Sequence, residues 1–197
     1  MALAERVKKI LLQPKQEWPV IDGEAATMAQ LYTGYIMPLA AIGPVASAIG
    51  WSVFGLSMPF TGSYRVPIGF AVRSAVVQYV LALVGVFVLG LIIDALAPTF
   101  GGQKNQLQAF KVATYSSTAA WVVGIFSLIP ALSILGILAL YSLYLLYLGL
   151  PVLMKAPADK ATGYTVVVVL VAIVLAMLAG WITSQFAWRP AFSMPGT

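Results

Sequence analysis

Asp94 is the one acidic residue set inside an apolar run, Gly90-Leu-Ile-Ile-Asp94. An intramembrane carboxylate is expensive enough to count as a functional candidate by default. Two readings compete. In one, Asp94 ends a helix at the headgroups and faces Lys104 or Lys111. In the other it belongs to a polar cluster with Tyr115, Ser116, Ser117 and Tyr147 in the inner leaflet. Tyr141, Tyr144 and Tyr147 are spaced by three and spread over roughly a third of a helix at about 100° per residue, so all three can face Ser116, Ser117 and Thr118. A phenol or hydroxyl in hydrocarbon needs a hydrogen-bond partner. The network is either interhelical glue, at about 0.6–2 kcal/mol per bond, or a ligand site. Gln78 is open to the same two readings.

Other chemistry lacks its groups. Cysteine and histidine are both absent, which removes thiolate ligands, disulfides and the usual neutral-pH base. The acidic residues are Glu5, Glu17, Asp22, Glu24, Asp94 and Asp159, and no two suggest an intramembrane pair for acid–base catalysis or metal binding. A serine nucleophile needs an activating base, and neither a histidine nor a buried lysine is expected. Gly101-Gly-Gln-Lys104 has neither the preceding strand nor the spacing of a phosphate loop. The chain is therefore expected to be no enzyme and to carry no metal or cofactor.

The elements that position these residues are membrane spans. The chain has 197 residues, 61% hydrophobic and 9% charged, with a mean hydropathy of +0.95, which excludes an ordinary soluble domain. Apolar runs long enough for the ~30 Å hydrocarbon layer predict an all-α bundle of five spans, about 33–54, 68–97, 109–129, 131–154 and 164–185. The third and fourth form a hairpin turned at Pro130. The first contains Gly34, Pro38, Gly43, Pro44 and Gly50, and is either a broken helix lining a site or a kinked helix wrapped by its neighbours. Residues 55–67 read as a loop or re-entrant turn that dips Met58, Pro59 and Phe60 into the interface. The second span tilts or extends beyond the hydrocarbon and ends at Pro98. Small residues at Ser116, Ala120 and Gly124, and again at Ala172, Ala176 and Gly180, are expected to let helices pack closely.

Residues 1–24 form a cytoplasmic basic segment. Leu3, Val7, Ile10 and Leu11 share one helical face, and the helix stops at Pro14. Its apolar part is too short for a signal peptide. Arg6, Lys8, Lys9, Lys15 and Trp18 are expected at anionic headgroups. Residues 187–197 are a short extracytoplasmic tail that follows a belt of Trp181, Phe186 and Trp188. With five crossings and a cytoplasmic N-terminus, Arg6, Lys8, Lys9, Lys15, Lys104, Lys111, Lys155 and Lys160 lie inside and Arg65, Arg73 and Arg189 outside, as the positive-inside rule requires. The net charge of +5 is thus topological, and no nucleic-acid partner is implied.

The order and spacing of several segments resemble the Yip1 family of small five-span membrane proteins, in its bacterial branch. These are Arg6-Val-Lys-Lys-Ile-Leu-Leu-Gln-Pro-Lys-Gln-Glu-Trp18, Ala95-Leu-Ala-Pro-Thr-Phe-Gly-Gly102, Ala109-Phe-Lys-Val-Ala-Thr-Tyr-Ser-Ser-Thr118 with Trp121, Tyr141-Ser-Leu-Tyr-Leu-Leu-Tyr-Leu-Gly149, Met154-Lys155 and Lys160-Ala-Thr-Gly-Tyr164. Where the family often has proline after Thr118, this chain has Ala119, so the resemblance implies that a kink there is missing. It also implies a cytoplasmic N-terminus in a bacterial inner membrane. Eukaryotic relatives act in vesicle trafficking with Rab-type GTPases, a role no residue here carries over. The expected function is a non-enzymatic scaffold or membrane-organising protein whose partners are lipid, further copies or other membrane proteins. The alternative is a small-solute or lipid transporter built on Asp94 and Tyr141–Tyr147.

Overall fold

The computed structural model describes residues 2–58 and 62–188. Expectations placed on Pro59, Phe60, Arg189 and the tail lie outside the described residues, as do those on the side chains of Met58, Phe186 and Trp188. Helix α1, Leu3–Leu12, is followed after Gln13 by α2, Pro14–Gly23. Proline ends the first helix and also begins the second, because a first-turn residue has no intrahelical use for its N–H. Helix α3, Met28–Val53, starts at a capping box in which Thr27 and Gln30 bond each other's amides. It is broken as its prolines demand. A π-helical turn at Tyr32–Ile36, with the Met37 N–H reaching back to the Tyr32 carbonyl, precedes Pro38, and a second step falls at Ala41 before Pro44.

A short antiparallel hairpin, β1 Leu56–Met58 and β2 Gly62–Tyr64, occupies the expected loop and pairs Leu56 with Tyr64. Helix α4 runs Ile68–Leu96. A 3₁₀ turn at Ala97–Phe100 then holds Pro98, and Gly101 closes it in the left-handed region (φ +72°), where a Cβ is disfavoured. Helix α5, Gln106–Ser116, is capped by the Asn105 side chain. Next come α6, Thr118–Val123, 3₁₀ segments at Gly124–Leu128 and Pro130–Leu140, α7, Tyr141–Leu153, and α8, Ala158–Trp188.

Among the described residues, four helical segments are long and apolar enough to cross a membrane: Met28–Val53, Ile68–Phe100, Pro130–Leu153 and Ala158–Gln185. The 109–129 stretch is not among them, because its helix is interrupted at Ser117 and passes into a 3₁₀ segment at Gly124. The hydroxyls explain the interruption. Ser116 donates to the Val112 carbonyl (2.6 Å), Ser117 to Ala113 (2.8 Å) and Thr118 to Tyr115 (2.7 Å), and such back-bonding bends helices. The Ala120 amide is bonded instead by Ser142 Oγ of α7 (3.1 Å). The helix is therefore interrupted at Ser117 without a proline. The 3₁₀ rise lengthens the following arm, so Pro130–Leu153 covers about 40 Å.

α5 is the hub. Every residue from Ala109 to Ser116 is buried, as expected of a helix surrounded on all sides. Gly90 of α4 lets Phe110 approach, since a Cβ there would lie 3.0 Å from the ring. At one end the Gln103 amide bonds the Met154 carbonyl (2.7 Å), and Gly101 lies against Pro157 and Lys160. This is the basic end, with Lys104, Lys155 and Lys160. At the other end the backbone at Ser127 and Leu128 presses on Gly50. Val72, Val76 and Val80 of α4 and Leu170, Ile173 and Met177 of α8 are exposed apolar residues, the outer surface of a bundle whose solvent is lipid.

Candidate functional site

At the basic end, α1 and α2 are held by charge. Arg6 Nη1 donates to Glu17 Oε1 and Arg6 Nη2 to Glu24 Oε1. Arg6 and Glu17 are each 5% exposed. The guanidinium lies 5.7 Å from the Tyr115 ring centroid, within cation–π range. Burial alone would lower the Arg6 pKa, but the Glu24 bond and the fields of Glu24, Tyr115 and Glu17 outweigh it and raise it. The charge is permanent. Lys111, inside α5, donates to the carbonyls of Ile21 (2.8 Å) and Glu24 (2.6 Å), so a cation sits at the C-terminus of α2, where the helix dipole favours it. Gln108 holds Asp22 through its carbonyl and carboxylate, and Lys155 pairs with the same carboxylate. Tyr141 donates to the Leu11 carbonyl (2.9 Å). The Trp18 indole lies on Gly149, where any Cβ would sit 2.6 Å from the ring.

An aromatic chain continues inward from this clasp. Tyr115 meets Trp18 edge-on (6.4 Å) and Tyr35 at 4.8 Å. The Thr118 hydroxyl already donates to Tyr115, so Tyr35 donates to Thr118 (2.8 Å).

The side chains of Arg6 and Trp18 are accordingly buried in protein; Lys8 and Lys15 are exposed, and Lys9 pairs along α1 with Glu5. The signal for Arg6 was available: at about 100° per residue it sits only about 40° from Ile10, and those two are the buried residues of α1. No equivalent sequence signal singles out Lys111, which reads as an ordinary loop-proximal lysine.

The proposed cluster around Asp94 does not assemble among the described residues. Tyr141 bonds α1, Tyr144 and Tyr147 are 41% and 43% exposed, and Ser116 and Ser117 bond their own helix. Among the described residues Asp94 faces neither expected lysine through a hydrogen bond or ion pair, and its buried Oδ1 has no hydrogen-bond partner. Beside it, Tyr164 donates to the Ile93 carbonyl and stacks on Phe100 at 5.0 Å. Among the described residues no three of His, Cys, Asp and Glu cluster as metal ligands.

A cavity of about 580 Å³ lies instead between α3, α4, α6 and α8. Ala172, Ala176 and Gly180 border it, with Ala120, and Gln78, Ser117 and Thr183 supply polar groups. Gly180 has open space where a Cβ would project, whereas Gly124 is pressed against Gly43, its Cβ position 2.8 Å from Gly43 Cα. The 116–120–124 stripe thus divides: Ser116 is bonded internally, Ala120 borders the cavity and Gly124 makes the close approach.

The family model for the Yip1 domain matches residues 8–179. The chain belongs to the Yip1 family. The matched range of this Yip1-domain protein takes in the clasp from Lys8 onward, all of α5 and the cavity up to Ala179. No curated protein and no solved structure matches the chain. A Yip1 domain together with four membrane-length apolar helices makes this an integral membrane protein.

Proposed function

We propose that this Yip1-domain protein is a non-enzymatic scaffold of a bacterial cytoplasmic membrane, receiving a helix of another membrane protein, or of a second copy, in the small-residue cavity. The observation that carries the reading is the cavity wall: Ala172, Ala176, Ala179 and Gly180 on α8 face Ala40 and Gly43 of α3 across open space, and small residues are what let helix backbones approach in lipid. The topology proposed is five crossings, with 106–128 as an inner, broken one. It is supported by the contact of Gln103 with Met154 at one end and of Gly50 with Ser127 at the other. The basic end then faces the cytoplasm and the C-terminus the opposite side, in line with the positive-inside rule.

The chain has no cysteine, so single cysteines report cleanly. Ala176→Cys is expected to crosslink to another chain in native membranes, and a strictly monomeric protein without adducts argues against the scaffold. A cysteine at Lys8 should resist an impermeant thiol reagent in intact cells while one at the C-terminus reacts. Both reacting from the same side sinks the five-crossing topology.

A second reading, passage of a lipid or small solute, draws on Gln78, Ser117 and Thr183 at that cavity. The scaffold reading expects equal, negligible liposome flux for the natural chain and for Asp94→Asn. Flux abolished by Gln78→Leu would favour passage.

A further inference from the structure

We propose that the cleft between α2, α7 and the start of α8 binds one anionic phospholipid by its phosphate. The cleft holds about 250 Å³ and is lined by Lys15, Trp18 and Tyr147 over an apolar floor that includes Leu148, Val152 and Ala161. Three observations converge. Trp18 is wholly buried, yet its Nε1–H has no hydrogen-bond partner among the described residues. Buried donors are nearly always satisfied, and a phosphate oxygen is a strong acceptor. Lys15 is exposed and forms no ion pair among the described residues, whereas Lys111 and Lys155 at the same end are engaged. No acidic residue lines the cleft, so the Lys15 charge is matched only from outside.

The floor decides between a lipid and a free anion. Leu148 and Val152 lie on α7 and Ala161 on the first turns of α8, where spanning helices meet loops. A volume below the ~300–1,000 Å³ of typical small-molecule sites admits a phosphate and its glycerol carbons and leaves the acyl chains to the surrounding bilayer. The cleft is separate from the small-residue cavity, so its lipid stands or falls independently of the scaffold.

The test is native mass spectrometry of the full chain in detergent, titrated with dioctanoyl phosphatidylglycerol. One lipid is expected to be retained in preference to phosphatidylcholine. Lys15→Ala should weaken retention about tenfold, as loss of one charge-assisted hydrogen bond does, while Lys8→Ala, an equal change in net charge, should leave it unaltered. Ala158→Trp fills the cleft without touching a charge and should also abolish retention. Trp18→Phe removes the N–H and should weaken it severalfold. Melting curves confirm that each variant is folded, and Lys15→Gln serves if Lys15→Ala is not. Equal losses in Lys8→Ala and Lys15→Ala, or equal retention of phosphatidylcholine, would overturn the proposal by reducing it to diffuse attraction or none. Displacement of the lipid by millimolar inorganic phosphate would overturn the lipid assignment in favour of a free anion.

Discussion

The two ends of the bundle solve opposite problems. At the basic end Arg6, Glu17, Glu24, Lys111, Gln108, Asp22 and Lys155 are tied to one another or to backbone carbonyls, and Trp18 fills the notch at Gly149. Toward the other end α8 has no buried residue after Val168 among those described, and the cavity is bordered by alanine and glycine. The first region is tied by charge throughout, apart from the cleft beside Lys15. The second is open and bordered by small residues, so the groups that hold the fold and the cavity to which we assign partner binding lie in different places.

Breaking the clasp should have the largest effect. Glu17→Ala removes the buried partner of the Arg6 guanidinium and leaves it only the half-exposed Glu24, a change worth up to about 3–5 kcal/mol when one member of a buried pair is removed. The expected result is lowered unfolding resistance and rapid tryptic cleavage at Lys8 and Lys9 in the folded protein. Replacing both members, Arg6→Met with Glu17→Met, should recover most of that stability, because paired apolar substitutes are often neutral. If the double variant is as unstable as the single one, the clasp is not held by this pair.

Lys111→Met sharpens the comparison from inside the hub. It leaves two carbonyls at the end of α2 without their donor, and should cost about 1–3 kcal/mol, read as reduced thermal stability. Gly124→Ala should cost a similar ~1–3 kcal/mol by overpacking, since its Cβ meets the Gly43 backbone. Gly180→Ala should stay within about 0.5 kcal/mol of the natural chain or gain from helix propensity, because nothing lies within 4 Å. Equal losses at Gly124 and Gly180 would mean that the cavity is not open.

Much of the architecture was legible in the chain because lipid leaves few choices. Long apolar runs must be helices, and Pro14, Pro38 and Pro130 mark breaks for the plain reason that they lack an N–H. The candidate site was legible in kind but not in place. Intramembrane polar groups were identified, yet their partners depend on contacts across 51 to 130 residues of sequence, such as Tyr32 with the Leu83 carbonyl and Tyr141 with that of Leu11. Spacing along one helix does not encode these. The burial of Trp18 was not legible, because a tryptophan that flanks a basic helix looks alike whether or not protein covers its ring. The break at Ser117 was missed because hydroxyls break helices less obligatorily than proline does.

The burial of α5 on every side bears on how the protein is made. A segment carrying Gln106, Gln108, Lys111 and Thr114 is too polar to enter hydrocarbon unaccompanied, since a lysine alone at a helix centre costs about 2.5–3.5 kcal/mol to insert. On the five-crossing topology proposed above, its entry follows the threading of α4 and the closing of α2 over Lys111, and the amino-terminal clasp becomes a requirement of biogenesis as well as of the finished molecule.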